Sequence, residues 1–268
     1  MYTDTIEYLA NLAATKVALL KRNPVGFFIG SMMAGAYVGF GIILIFVVGS
    51  AADHAYQKLI MGASFGIALV LVVFAGAELF TGHTMYLPLG WLRKTISGAN
   101  LAAVWPLVWI GNLVGSAGLA ALFVLGGAAG MVSDSASFLN QVAAAKMNAP
   151  AIELLARAML CNWLVCLSLW MASRTKNDAA KCIVIFWCLF AFIASGFEHS
   201  VANMTLFSIA LPGKHPATVS LSGMAYNLLW VTFGNLLSGS LFMAVGYWLY
   251  SGEKSSPHGG NTDTIEKT

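Results

Sequence analysis

Most of this chain is taken up by six apolar runs, at about residues 26–49, 59–91, 101–131, 152–171, 182–211 and 225–250. A bilayer span needs about 20 apolar residues, so each run predicts a transmembrane helix. The second and fifth are too long for a single simple span. They are also the two with polar interruptions: Gly76-Ala77-Glu78-Leu79-Phe80-Thr81-Gly82-His83-Thr84-Met85 and Gly196-Phe197-Glu198-His199-Ser200-Val201-Ala202-Asn203-Met204. In lipid, irregular backbone and ionisable side chains are costly unless protein or a water-filled path surrounds them. Both runs therefore read as discontinuous: half-helix, irregular segment near the midplane, half-helix.

The interruptions resemble each other, each opening on Gly-x-Glu and closing on Met. A second correspondence follows at nearly the same distance, where Gly111-Asn112-Leu113-Val114-Gly115-Ser116 answers Gly234-Asn235-Leu236-Leu237-Ser238-Gly239. Three spans per half place the second half upside down relative to the first. The expectation is an all-α integral membrane protein of six transmembrane helices in an inverted 3+3 repeat, with a site where the broken helices meet. The transport domain covers 25–250, with halves at about 25–131 and 150–250. Before it, residues 1–24 hold Ile6, Leu9, Leu12, Ala13, Val17 and Leu20 at helical spacing, with Glu7, Lys16, Lys21 and Arg22 as the polar side. That pattern predicts an amphipathic helix at the membrane interface. Residues 251–268 are Ser, Gly, Asn and charge, and predict a disordered cytoplasmic tail.

Composition agrees with this picture. Hydrophobic residues make up 59% and charged residues 9%, against about 25% charged in a soluble domain. The net charge of +3 comes from Lys and Arg scattered at the ends of apolar runs, which gives no case for a nucleic-acid partner. With the N-terminus cytoplasmic, inside segments hold Lys16, Lys21, Arg22, Arg93, Lys94, Arg174, Lys176, Lys181, Lys254 and Lys267. Outside segments hold Lys58, Lys146 and Lys214, with Arg157 near the start of a span. This bias places both termini in the cytoplasm. Cys161, Cys166, Cys182 and Cys188 all lie in apolar stretches, so they read as buried thiols, and no metal-ligand spacing appears. No cofactor is expected, and no cleaved signal peptide.

His199 is the leading candidate for function, because histidine changes protonation with small shifts in environment and here stands in a span at a repeat-related break. Against this stands a neutral, purely structural histidine. Thr81 offers a hydroxyl to an anion, or simply repairs its helix, and the N–H groups of the half-helix that follows form a natural anion site. Glu78 and Glu198 read as structural, each accepting backbone N–H bonds to hold an irregular segment in shape. Asn112, Asn162 and Asn235 are either interhelical glue or pore lining. Leu79, Phe80, Phe65, Val165 and Phe192 are core or lipid-facing, or narrow a path as apolar constrictions do.

Residues 76–85, 157–166 and 196–204, together with the Gly-Asn pairs at 111–112 and 234–235, make the chain resemble the formate/nitrite transporter family over essentially all of residues 5–250. Ser168 stands where the family pattern has alanine. The resemblance implies an aquaporin-like protomer in a homopentamer, one pore per subunit, in a bacterial inner membrane, and a transporter rather than an enzyme. It implies a polar centre of Thr81 and His199 between constrictions that include Leu79, Phe80 and Phe192, with Phe65 and Val165 nearby. It also maps pore-lining roles onto Asn162 and Asn235, and a basic outer-vestibule residue onto Lys146.

An anion in an apolar slit pays a large desolvation cost. It either stays charged, balanced by Lys146, His199, Thr81 and backbone donors, or His199 protonates it so that a neutral acid crosses. The second is expected in at least one direction, which makes protons a partner alongside the substrate, nitrite. Formate and hydrosulfide fit the same architecture, and a neutral-solute channel for water or glycerol remains a competing reading. A membrane redox subunit would need paired haem- or quinone-binding residues, and a purely structural or receptor protein has no reason to break two spans symmetrically.

Overall fold

A computed structural model describes residues 2–252, and within them the chain is helical with no strand. Ser251 and Gly252 form a turn; the rest of the predicted tail, with Lys254 and Lys267, lies outside the described residues. Among the described residues, five stretches are long and apolar enough to cross a bilayer: Pro24–Ala51, Gln57–Ala75, Gly98–Leu125, Ala151–Ser173 and Leu221–Tyr250.

Helix α1 (Thr3–Arg22) buries Ile6, Leu9, Ala10, Ala13 and Val17, the stripe its spacing predicts. That stripe packs within the protein on α5 (Phe80–Leu92). Thr95 Oγ1 donates to Ala10 O at 2.8 Å, and Arg93 pairs with Glu7 at 3.0 Å. Helix α2 (Pro24–Ala51) starts where Asn23 accepts from Gly26 N and Pro24 fills the first turn, where a missing N–H costs nothing. It meets α6 (Gly98–Leu125) backbone to backbone: a Cβ on Gly35 would overlap the Asn112 carbonyl, and one on Gly115 the Met32 carbonyl. Small residues permit that approach. Helix α8 (Ala151–Ser173) and α11 (Leu221–Leu237) repeat the arrangement, with Gly234 against Ala158 and the Leu155 carbonyl.

The second apolar run is three helices, α3 (Gln57–Ser64), α4 (Ile67–Ala75) and α5. The fifth is α9 (Asp178–Ala194) and α10 (Ser200–Ala210). Between α4 and α5, and between α9 and α10, lie the two glutamate segments. Each opens on a glycine in the left-handed region, Gly76 at φ 78° and Gly196 at φ 72°, where an L side chain is strained.

Two elements depart from the pattern. Helix α7 (Phe138–Met147) occupies the loop expected to carry Lys146; ten residues of mixed polarity give little periodic signal, and packing on α10 and α11 holds them. The last run is not uniformly α-helical: Ser238–Val245 widens into a π-helix before α12 (Gly246–Tyr250). The widening occurs where Gly239 touches Thr84 and Asn162, and such bulges mark places where a helix yields to a neighbour.

Candidate functional site

The two glutamate segments are held by the same set of bonds. Asn112 Oδ1 accepts from Phe80 N at 2.9 Å, and its Nδ2 donates to Ser31 O and Glu78 O at 2.7 and 2.9 Å. Asn235 Oδ1 accepts from Ser200 N at 2.9 Å, and its Nδ2 donates to Ala158 O and Glu198 O at 2.9 and 3.1 Å. The N–H of Glu78 donates to Gly30 O and that of Glu198 to Arg157 O. One asparagine per half thus supplies the bonds that a continuous helix would have made, which is what a break inside a span requires.

The carboxylates do something other than expected. Neither accepts a backbone N–H. Glu78 Oε1 accepts from Lys16 Nζ at 2.6 Å and Oε2 bonds His83 Nε2 at 2.8 Å. Glu198 Oε2 lies 2.9 Å from Lys146 Nζ and accepts from Asn203 Nδ2 at 2.7 Å. Each glutamate therefore links its break to a further helix, α1 or α7, and to the residue five positions on. The reason is that the asparagines have already taken the backbone groups. The N–H groups at the start of α5 and α10 are partly used in the same way, so the expected ring of free donors shrinks. Lys146, expected as a basic vestibule residue, is here the partner of Glu198, and the pairings of Lys16 and Asn203 with the glutamates leave no signal in the sequence pattern.

Thr81 and His199 do come together. Oγ1 and Nε2 are 3.1 Å apart, and both residues are buried. His199 caps α10, its Nδ1 accepting from Ala202 N at 3.1 Å. With Nδ1 an acceptor, the neutral ring carries its hydrogen on Nε2 and gives it to Thr81 Oγ1. The threonine hydrogen is then left to point at a third group. Behind Thr81, Thr84 Oγ1 donates to Thr81 O at 2.6 Å and accepts from Asn162 Nδ2 at 2.8 Å. Cys166 Sγ contacts the same carbonyl at 3.4 Å.

The apolar candidates gather around the imidazole. Phe192 stacks on His199 with ring centroids 6.0 Å apart, and Phe65 meets Phe192 edge-on at 5.4 Å. Leu79, Phe65, Val165, Phe192 and His199 share the wall of a cavity of about 10 Å³, which holds about one water at most. Leu79 also lines a vestibule of about 300 Å³ reached by Lys16, Glu78 and His83. Leu79 is thus the partition between a wet, charged chamber and the histidine. Phe80 lies outside both cavities; it is buried, with its N–H on Asn112. Asn162 and Asn235 also line neither; Asn235 is committed to Ser200, Ala158 and Glu198, and Asn162 Nδ2 to Thr84 and Asn235 O, with Asn162 Oδ1 buried and unpartnered. All four cysteines are free thiols.

Comparison with known proteins bears on what this arrangement is for. The family model described as formate/nitrite transporter matches residues 3–249. The nitrite transporter NirC of Escherichia coli is 52% identical over 257 residues, covering 96% of this chain and 95% of that protein. A solved FNT family ion channel superposes with a TM-score of 0.91 at 53% identity, covering 92% of this chain and 99% of that one. A pentameric formate channel with formate bound superposes at 0.74 and 27% identity, covering 87% and 99%. A match over nearly the whole length means that the chain belongs to the formate/nitrite transporter family, a family of membrane transporters and not of enzymes.

Proposed function

We propose that this protein passes small monovalent anions, nitrite foremost, across a bacterial inner membrane. In this reading the protomer has six spans in an inverted 3+3 repeat, the second and fifth interrupted, with halves at about 25–131 and 150–250 and the amphipathic helix α1 before them. Five protomers assemble in the bilayer, and both termini are cytoplasmic. The relatives support the substrate and the assembly: a nitrite transporter at 52% identity and a pentameric formate channel with formate bound.

The observation that carries the reading is the Thr81–His199 pair, 3.1 Å apart beside an apolar slit. An anion entering that slit meets the hydroxyl hydrogen of Thr81, because His199 already donates to its oxygen. Leu79, Phe65, Val165 and Phe192 exclude water beside the polar centre. Asn235 and Asn162 support that centre from behind, and Lys146 and Lys16 hold the two glutamates that anchor the breaks.

Proton-linked passage is the finer part of the proposal. An imidazolium at His199 gives its Nε2 proton to Thr81 Oγ1 while the threonine hydrogen passes to an anion oxygen. His199 is left neutral, and the acid crosses uncharged where nothing would pair its charge. Reaching the imidazolium puts a proton on Nδ1 and releases the Ala202 N–H, so the step works through the cap of α10.

The experiment is nitrite uptake into proteoliposomes at two pH values, with formate alongside, for wild type and His199→Gln. Nitrite-preferring uptake that loses its pH dependence in the variant is expected. An unchanged pH dependence means the anion is not protonated at His199, and no anion uptake by wild type brings the neutral-solute channel forward.

A further inference from the structure

The two helix breaks are built alike, and their clasps differ in one titratable position. The side chain five residues after each glutamate bonds its Oε2: His83 for Glu78 at 2.8 Å, Asn203 for Glu198 at 2.7 Å. An imidazole takes up a proton near neutrality and an amide does not. We infer that the Glu78–His83 pair is a second proton-binding site, set in the wall of the α1-side vestibule, and that proton uptake there draws anions to the mouth of the slit. The inference rests on the anion-transport reading above.

The hydrogen bonds of the two buried histidines separate their roles. Nδ1 of His199 accepts from Ala202 N, so a proton arriving there must displace an N–H. Its Nε2 faces a neutral hydroxyl. Nδ1 of His83 has no protein partner, so neutral and protonated rings both leave that atom unmatched and Nε2 decides between them. Nε2 faces the carboxylate of Glu78 at 2.8 Å, and an opposite charge at that distance favours the charged form of its neighbour. His83 thus meets a carboxylate through one ring nitrogen and no partner through the other, whereas both ring nitrogens of His199 are engaged.

The surroundings set the sign of the effect. From α1, Lys16 Nζ lies 2.6 Å from Glu78 Oε1 and Tyr8 lines the chamber; from α5, Tyr86 stands 6.2 Å from the His83 ring. From α9 comes Lys181, itself paired with Asp178 at 2.8 Å. From α2 the Phe27 ring lies 6.2 Å from that of His83, from α6 Trp105 Nε1 donates to His83 O, and α8 lines the chamber with Leu169, Ala172 and Ser173, none of them ionisable. Lys16, Glu78 and His83 together carry no net charge with a neutral ring and gain one positive charge when the vestibule water gives up a proton. A unit charge about 6 Å from an anion across water raises the anion's occupancy about threefold. The other break, with Lys146 and Glu198, has the amide of Asn203 in place of the imidazole.

The test is His83→Asn, which copies the amide of the other half and so preserves the bond to the glutamate. Initial nitrite uptake into proteoliposomes, with protein-free vesicles subtracted, is measured at roughly pH 5.5 and 7.5. The ratio of acid to neutral uptake in wild type is expected to exceed that of His83→Asn about threefold. Nitrogen NMR of histidine-labelled protein, assigned by removing the other histidines in turn, is expected to show the His83 ring titrating across that range. A wild-type ratio in His83→Asn, or a His83 ring that holds one tautomer throughout, overturns the inference. If wild type takes up no nitrite, the transport reading fails instead, and the NMR titration by itself decides whether the pair binds a proton.

Discussion

Replacing Asn235 by alanine tests the claim that one amide per half holds the broken helix in place. Its side chain grips both neighbours of His199: Oδ1 takes Ser200 N at 2.9 Å and Nδ2 reaches Glu198 O at 3.1 Å, with a further bond to Ala158 O at 2.9 Å. Alanine leaves the Ser200 N–H and the Glu198 carbonyl without these partners in a buried site; Ala158 O keeps its place in the helical ladder of α8. An orphaned buried group costs about 1–3 kcal/mol, which for two gives about 2–6 kcal/mol. Interhelical bonds in membrane proteins average only about 0.6 kcal/mol, because the unfolded chain finds other partners, and three such bonds give about 2 kcal/mol. The expected loss is thus roughly 2–4 kcal/mol. Asn235→Asp is expected to be worse than alanine, since it keeps the acceptor for Ser200 but sets carboxylate oxygen against two carbonyls. The assay is denaturant unfolding of the purified protein in detergent micelles, followed by fluorescence. An alanine variant within about 0.5 kcal/mol of wild type, or an aspartate variant as stable as wild type, refutes the clasp.

Other perturbations follow from the same contacts. Lys146→Met leaves Glu198 buried with only Asn203 to balance it; a loss of about 3–5 kcal/mol is expected, and adding Glu198→Gln should restore much of it, so a double variant no better than the single one would contradict the pairing. Gly115→Ala forces a methyl into the Met32 carbonyl and should cost about 1–3 kcal/mol or more in the same unfolding assay, whereas Gly118→Ala, with open space at its Cβ, should be neutral. Thr81→Val keeps the shape but removes the hydrogen offered to the anion. A bond to a charged group is worth about 1.5–3 kcal/mol, so nitrite uptake should fall about tenfold or more while Thr81→Ser retains it; equal uptake by the valine variant would remove Thr81 from the path.

What the sequence determined by itself was the membrane class, the placement of the apolar runs and the two positions where they break. These are properties of length and polarity that no packing can override: a run too long for one span, with Gly and Glu at its centre, has to depart from straight helix. The pairing of Gly111-Asn112 with Gly234-Asn235 was likewise visible, because both halves need the same small residue and amide at the same place. The tertiary structure decided which atoms those residues use. The asparagines serve the backbone and thereby leave the glutamates to Lys16, His83, Lys146 and Asn203, a partition that depends on α1 and α7 folding back over the breaks. It also decided that Leu79, Phe65, Val165 and Phe192 share one small cavity with His199 while Phe80 does not. Residues far apart in sequence meet there only because two helix ends converge, and no periodicity along a single chain records which face of each will point inward.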